Sequence, residues 1–232
     1  MSEAQAFRLR VTFRKSGRLA LLSHLEVARA LERTVRRAGL PFAVSQGFSP
    51  HMKIAFGAAL PVGVGGTQEC FDLYLTRYIA PEKAREALEA ASVADLMPSS
   101  CEYLGNKAPA PSVAYPVSTY LVELAFLPKK GEPGGTEDKE PGRAEGLNKP
   151  CVSAELLVPP ETVLVKRKNG EKELASADFL VGPLEGEGNM LRFSLRAHAS
   201  GSLRVDAFVA ALLAAHPDLE ASAITRIAQR PV

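Results

Sequence analysis

Two short stretches of the 232-residue chain hold the side chains with the most chemical reach: Ser23-His24, and the run Ser45-Gln46-Gly47-Phe48-Ser49-Pro50-His51-Met52-Lys53. Each supplies one imidazole, the side chain that titrates nearest neutral pH and serves as general acid or base. Ser23 and Glu26 have the spacing of a capping box, which puts His24 on the first turn of a helix. Free N–H groups there attract anions and disfavour an imidazolium. His24 is therefore either a functional group or a partly buried imidazole hydrogen-bonded to a neighbouring loop, the commoner use. In the second stretch Gln46-Gly47 and Ser49-Pro50 are turn formers, and Phe48 is a large apolar residue between them. A loop Phe is more often a plug into the core than a platform for a stacked base, the device of single-strand RNA recognition. Two histidines alone supply too few ligands for a metal site, so none is expected.

The elements that must position these groups follow from periodicity. Phe7, Leu9, Val11 and Phe13 alternate with Arg8 and Arg10, which predicts a half-buried strand with a basic exposed face. Lys15-Ser16-Gly17-Arg18 reads as a turn. The capped helix runs to Ala38 and stops at Gly39, with Leu21, Leu25, Ala28, Leu31 and Val35 as its buried stripe. Arg29, Arg33 and Arg36 fall within ~60° of one another beside that stripe. They form either a salt-bridged solvated face with Glu26 and Glu32 or a track for an RNA backbone.

Extended segments follow at 41–45 and 53–57, then a strand over 70–78, a helix over 81–91 and a strand over 101–104. That order over about 100 residues predicts an α+β, ferredoxin-like fold, with 53–57 one strand beyond the minimal version. In such a sheet the first strand ends, and the first helix starts, at the edge where strands two and three turn, so the Lys15–Arg18 turn, Ser23-His24 and the 46–51 loop should meet there. Lys15, Arg18, His24, Gln46, His51 and Lys53 would then line one concavity, suited to phosphate binding or acid–base work. Leu60 to Gly66 is glycine-rich without the spacing of a phosphate-binding loop and reads as a mobile loop.

Three prolines between Lys107 and Pro116 break regular structure and mark a boundary, giving domains over 1–106 and 117–232. The second reads as another mixed α+β unit, a degenerate ferredoxin-like unit being one form it could take. Its expected parts are strands at 119–126, 190–197 and 223–228, a helix over 204–215, and a hairpin turning at Asn169-Gly170. Residues 128–150, rich in Gly, Pro and charge, read as a disordered loop dispensable for folding.

Net charge is +2, but residues 1–53 carry 10 Lys/Arg against 3 Asp/Glu. A segment that basic points to an anionic partner such as RNA, a nucleotide or an acidic protein face. No apolar run approaches the ~20 residues that span a bilayer, and the start lacks a signal-peptide core, so no membrane role and a cytoplasmic location are expected. Cys70, Cys101 and Cys151 stand too far apart for a zinc ribbon or an iron–sulfur cluster, and no cofactor is expected.

The run Ser23-His24-Leu25-Glu26, Ala30-Leu31-Glu32-Arg33, Arg36 to Pro41, Ser45 to His51, Lys53-Ile54, Phe56-Gly57 and Leu60-Pro61 resembles the bacterial radical-SAM-linked (radical-SAM-associated) protein family. The resemblance is dense over residues 8–78, and its specific core is S-H-L-E followed by S-Q-G-F-S-P-H. It implies a radical SAM protein as partner and a setting close to RNA processing. It supplies no reaction. Ser49 and Met52 replace the more usual Asn and Pro. Lacking a cluster-binding cysteine triad, this chain is not expected to be the radical enzyme itself.

The function expected is an accessory protein that binds RNA or presents substrate to a separate radical SAM RNA-modification enzyme. Lys15, Arg18, Ser23, Arg29, Arg33, Arg36, Gln46, Phe48 and Lys53 would make the RNA or anion contacts. One alternative is a metal-independent RNA-processing catalyst using His24 and His51; another is a protein–protein adaptor. Oligomeric state is not legible.

Overall fold

Leu9, Val11 and Phe13 are all buried on one face of strand β1 (Phe7–Lys15), as their period-two spacing requires. The computed structural model describes residues 7–105, 107–127, 157–167, 170–199 and 201–231. The loop expected over 128–150 and the Asn169 side of the expected turn lie outside them.

A 3₁₀ turn (Gly17–Leu21) leads from β1 to helix α1 (His24–Arg37). The capping box forms as expected: Ser23 Oγ accepts from Glu26 N, and Glu26 accepts from Ser23 N at 2.8 Å. The helix ends at Ala38, and Gly39 adopts φ +65°, the conformation that costs a side chain most. Its buried residues are Val27, Leu31, Thr34 and Val35, not the whole expected stripe. Leu25 is 67% exposed and Leu21 66%. Leu21 belongs to the 3₁₀ turn before the cap, so helical spacing does not apply to it. With Ser23 fixed as N-cap, Leu25 is turned about 100° from His24 and away from the sheet.

Expected segment 41–45 is not a strand. It makes two isolated bridges, Phe42 with Leu75 and Val44 with Met52. Segment 53–57 supplies β2 (Ile54–Phe56), antiparallel to β3 (Val64–Leu75). Helix α2 (Pro81–Ala91) and β4 (Pro98–Tyr103) complete this half, in which the strands lie in the order β4-β1-β3-β2. Val64, Gly65 and Gly66, expected to be loop, are buried strand. A Cβ on Gly65 would stand 3.2 Å from Lys15 O, and one on Gly66 2.5 Å from Glu69 Oε1, so the glycines answer to packing.

The proline-rich connection contains one helical turn, α3 (Pro111–Ala114). Proline is tolerated in a first turn, which needs no N–H from it. Then come β5 (Val117–Phe126), a separate hairpin of β6 (Thr162–Arg167) and β7 (Gly170–Ala175), β8 (Glu185–Glu187), β9 (Met190–Arg196), α4 (Val205–Leu213) and β10 (Leu219–Arg230). Strand β10 pairs antiparallel with β5 and, through Ile224 to Arg226, parallel with Val64 to Gly66 of β3. A mixed sheet therefore runs β4-β1-β3-β10-β5-β9-β8 across both halves. Each half keeps its own apolar cluster, one around Leu9, Leu31, Phe71 and Leu88, the other around Val122, Leu191, Phe193 and Phe208.

The basic face expected on β1 is internal. Asp72, 0% exposed, accepts from Arg8 Nε at 2.8 Å and from Arg10 Nε at 2.7 Å. The connection folds over them: Ala108 O and Pro109 O accept from Arg8, and Tyr115 Oη accepts from Arg10 Nη1 at 3.1 Å. Alternation placed both arginines on one face, but period-two spacing does not say what covers that face.

Candidate nucleic-acid interface

Strand β1 runs from Phe7, beside Leu75, to Lys15, beside Gly66. Its two ends carry the two motif stretches separately. At the Lys15 end, His24 shares a small cavity with Phe13, Lys15, Gly57 to Leu60 and Glu69, and its ring meets the edge of Phe56 at 5.4 Å. At the Phe7 end, Lys53 Nζ lies 4.8 Å from the centroid of Tyr74, and Tyr74 N donates to Lys53 O. Tyr74 pairs with Arg8, seven residues from Lys15, which is about 20 Å along a strand. His24 and the loop bearing His51 thus lie at opposite ends of the sheet, and the expected concavity does not form. The reason is topological. Without a strand at 41–45, the 45–51 loop is the tip of the α1-to-β2 connection, which emerges where α1 ends. The turn that meets His24 is the β2-to-β3 connection, Gly57 to Gly63.

Lys15 is not a surface anion ligand. Nearly all of it is buried, and its Nζ donates to Leu22 O at 2.9 Å and to Val64 O at 3.2 Å, tying the start of α1 to β3. Burial pushes its pKa down from the usual lysine value; Glu69 pulls it back up and Arg226 pushes it further down. Glu69 and Arg226 form a buried ion pair in which Arg226 Nε donates to Glu69 Oε1 at 2.8 Å, and Nη2 also donates to Ala58 O at 2.6 Å. No sequence signal joins these two, which are 157 residues apart. Arg18 is exposed on the 3₁₀ turn, at this same end. Ser23 is engaged with Glu26.

The other end is open to solvent. The 45–51 loop is pinned at its base: Ser45 N donates to His51 O at 2.7 Å, His51 N donates to Ser45 Oγ at 3.0 Å, and Lys53 N donates to Ala43 O. Phe48, expected to plug the core, is fully exposed at the tip, with Gln46, Ser49, Pro50 and His51 exposed around it. Both apolar clusters fill without it, so nothing draws the ring inward. Arg36 stacks over Phe42 at 5.0 Å, which brings the end of α1 onto the root of the loop. Arg29, Arg33 and Arg36 are exposed, and no salt bridge among the described residues joins them to Glu26 or Glu32. Phe42 and Tyr74, not singled out by sequence, supply the aromatic faces that carry Arg36 and Lys53. An aromatic one residue past a proline and another alternating in a strand were the only signals available.

What the fold and this surface define is a mixed α+β protein with a cationic, aromatic-tipped end. Among the described residues no helix is long and apolar enough to cross a membrane, and no group of three or more His, Cys, Asp or Glu is placed to hold a metal. Over residues 8–205 the chain matches the family described as "Uncharacterized protein conserved in bacteria (DUF2344)", and it belongs to that family. That description names no reaction and no radical SAM partner. A comparison with curated proteins finds no match.

Proposed function

We propose that this protein is an accessory RNA-binding protein that grips single-stranded RNA with the Phe48 end of its first half. The observation that carries this reading is Phe48, fully exposed at the tip of a loop whose base is hydrogen-bonded closed. An exposed ring on a fixed support presents a π-face to a base at little entropic cost. Exposed His51 beside the ring, and Lys53 and Arg36 at the root of the loop, support contacts to the RNA backbone. The element order of residues 7–103 supports the ferredoxin-like reading of this half. Presentation of the RNA to a separate radical SAM modification enzyme is the role that the motif resemblance implies, in the cytoplasm. A concerted acid–base pair does not suit His24 and His51, since His24 lines the cavity with Lys15 and Glu69 while His51 stands exposed on the 45–51 loop.

Fluorescence anisotropy with a labelled single-stranded RNA oligomer tests the reading. Phe48→Leu should weaken binding by the ~1–3 kcal/mol typical of a lost stacking platform, with Tm unchanged. Equal affinity of variant and wild type would sink it. A pull-down in which a protein partner is retained by both, with no RNA bound by either, would favour an adaptor.

A further inference from the structure

The seam between the halves holds a cavity of about 100 Å³ that belongs to neither end of β1. Ala58 and Ala59 of the β2-to-β3 connection wall one side, and Ser118 and Tyr120 of β5 wall another. Arg226 lies on it from β10, and Ser202 and Arg204 border it where α4 begins. One water needs only ~10–15 Å³ of such space, so the cavity has room for a multi-atom guest.

Its lining is short of acceptors. The Ser118 side chain, in a residue only 7% exposed, has no hydrogen-bond partner among the described residues, and neither has that of Ser202. Ser118 faces the same side of the sheet as Tyr120, toward α4, because it pairs with core residue Leu195. Helix α4 starts at the rim without a side-chain cap, which leaves its first N–H groups to be met by something else. Both nearby carboxylates are already committed, Glu69 to Arg226 and Asp206 to Arg204 at 3.0 and 2.5 Å. Arg196 also borders the cavity, and its buried Nε has no partner. Lys15 adds a further cation behind Ala58 and Ala59, in the neighbouring cavity that shares them. The unpartnered hydroxyls of Ser118 and Ser202 and the uncapped first turn of α4 converge here, and among the described lining residues no free carboxylate opposes them.

We infer that this seam cavity is a binding site for a phosphate-type oxyanion, held by Ser118, Ser202 and the first turn of α4. The ion would bridge the halves, since β5 and α4 come from one and Ala58 and Ala59 from the other.

Inorganic phosphate titrated into the full chain at constant ionic strength, read by calorimetry and by Tm, tests the site. Saturable binding is expected, with Tm rising as phosphate is added. Replacing Ser118→Ala and Ser202→Ala together should weaken binding roughly tenfold or more, as the loss of hydrogen bonds to a charged group does. Ser202 is exposed, so Ser202→Ala alone leaves the fold intact and should still weaken binding if the double variant proves unstable. Adenosine monophosphate run in parallel separates sources: tighter binding than phosphate assigns the anion to a nucleotide, equal binding to free phosphate. No saturable binding of either, or serine variants that bind like wild type, overturns the site. Phosphate should bind Phe48→Leu unchanged, so failure here and failure of the RNA surface are told apart.

Discussion

Arg8 and Arg10 differ from Arg29, Arg33 and Arg36 in what surrounds them, although all five belong to the same basic segment. The first pair shares the buried carboxylate of Asp72 under the proline-rich connection, whose carbonyls accept further N–H groups from it. The second set stands on the outer face of α1, where Arg29 acts on Glu26 only through its field and no salt bridge among the described residues holds any of the three. A buried guanidinium is held by the desolvation it would suffer if its carboxylate left, so it acts as a fastener. An exposed one is available, and its worth appears only when an anion arrives. Net charge alone cannot separate the two roles, and only the second set counts toward a partner surface.

The largest effect should come from breaking the buried set. Asp72→Ala leaves two guanidiniums uncompensated under the connection and should cost about 3–5 kcal/mol in urea unfolding. A loss below ~1 kcal/mol would mean water reaches them and that the contrast with α1 is overdrawn. Next is Phe48→Leu, expected to lose ~1–3 kcal/mol of RNA affinity with the urea midpoint unmoved. A smaller effect follows from changing Arg29, Arg33 and Arg36 together to Gln. The log–log salt slope of RNA binding should shrink by about 1–2 if these side chains touch the backbone. An unchanged slope would reduce the α1 face to solvated surface.

The smallest concerns Lys15, a buried cation without a carboxylate of its own. Its folded-state pKa is lowered, so at mildly alkaline pH the unfolded chain holds more protons at this site than the folded one. Its contribution to stability should therefore rise as pH climbs from the lowered folded value toward the ordinary lysine value of 10.5. Lys15→Met removes that rise. The difference between the two proteins isolates it from Cys70 and Cys101, whose burial lifts both thiols to about 11 and erodes stability above pH 9 in each. Parallel stability–pH curves for wild type and variant would show that Lys15 titrates as in the unfolded chain.

What the sequence disclosed was local. Ser23 and Glu26 lie one turn apart and announce their own geometry, and Gly39 stops the helix for a reason carried in one residue. Segment 41–45 misled because its alternating residues satisfy β-propensity while Phe42 and Val44 find only one bridge each. That single error moved the 45–51 loop to the wrong end of the sheet and assembled a concavity that is not there. Phe48 was read as a plug because loop aromatics usually anchor, and whether a core has a vacancy is a property of all its other residues. Glu69 and Arg226 were invisible because no periodicity spans 157 residues.

The place of β10 in the sheet sets an order on biosynthesis. It lies between β3 and β5, yet it is made after every other described strand. While a ribosome extends the chain from Glu69 to Arg226, 157 residues at ~5–20 per second, roughly 8–30 s pass. Throughout that interval one flank of β3 at Val64 to Gly66 and one flank of β5 have no partner, and Glu69 has no counter-charge. Unpaired flanks of this kind invite pairing with other chains. A nascent polypeptide halted before Leu219 would therefore be the form most in need of a chaperone.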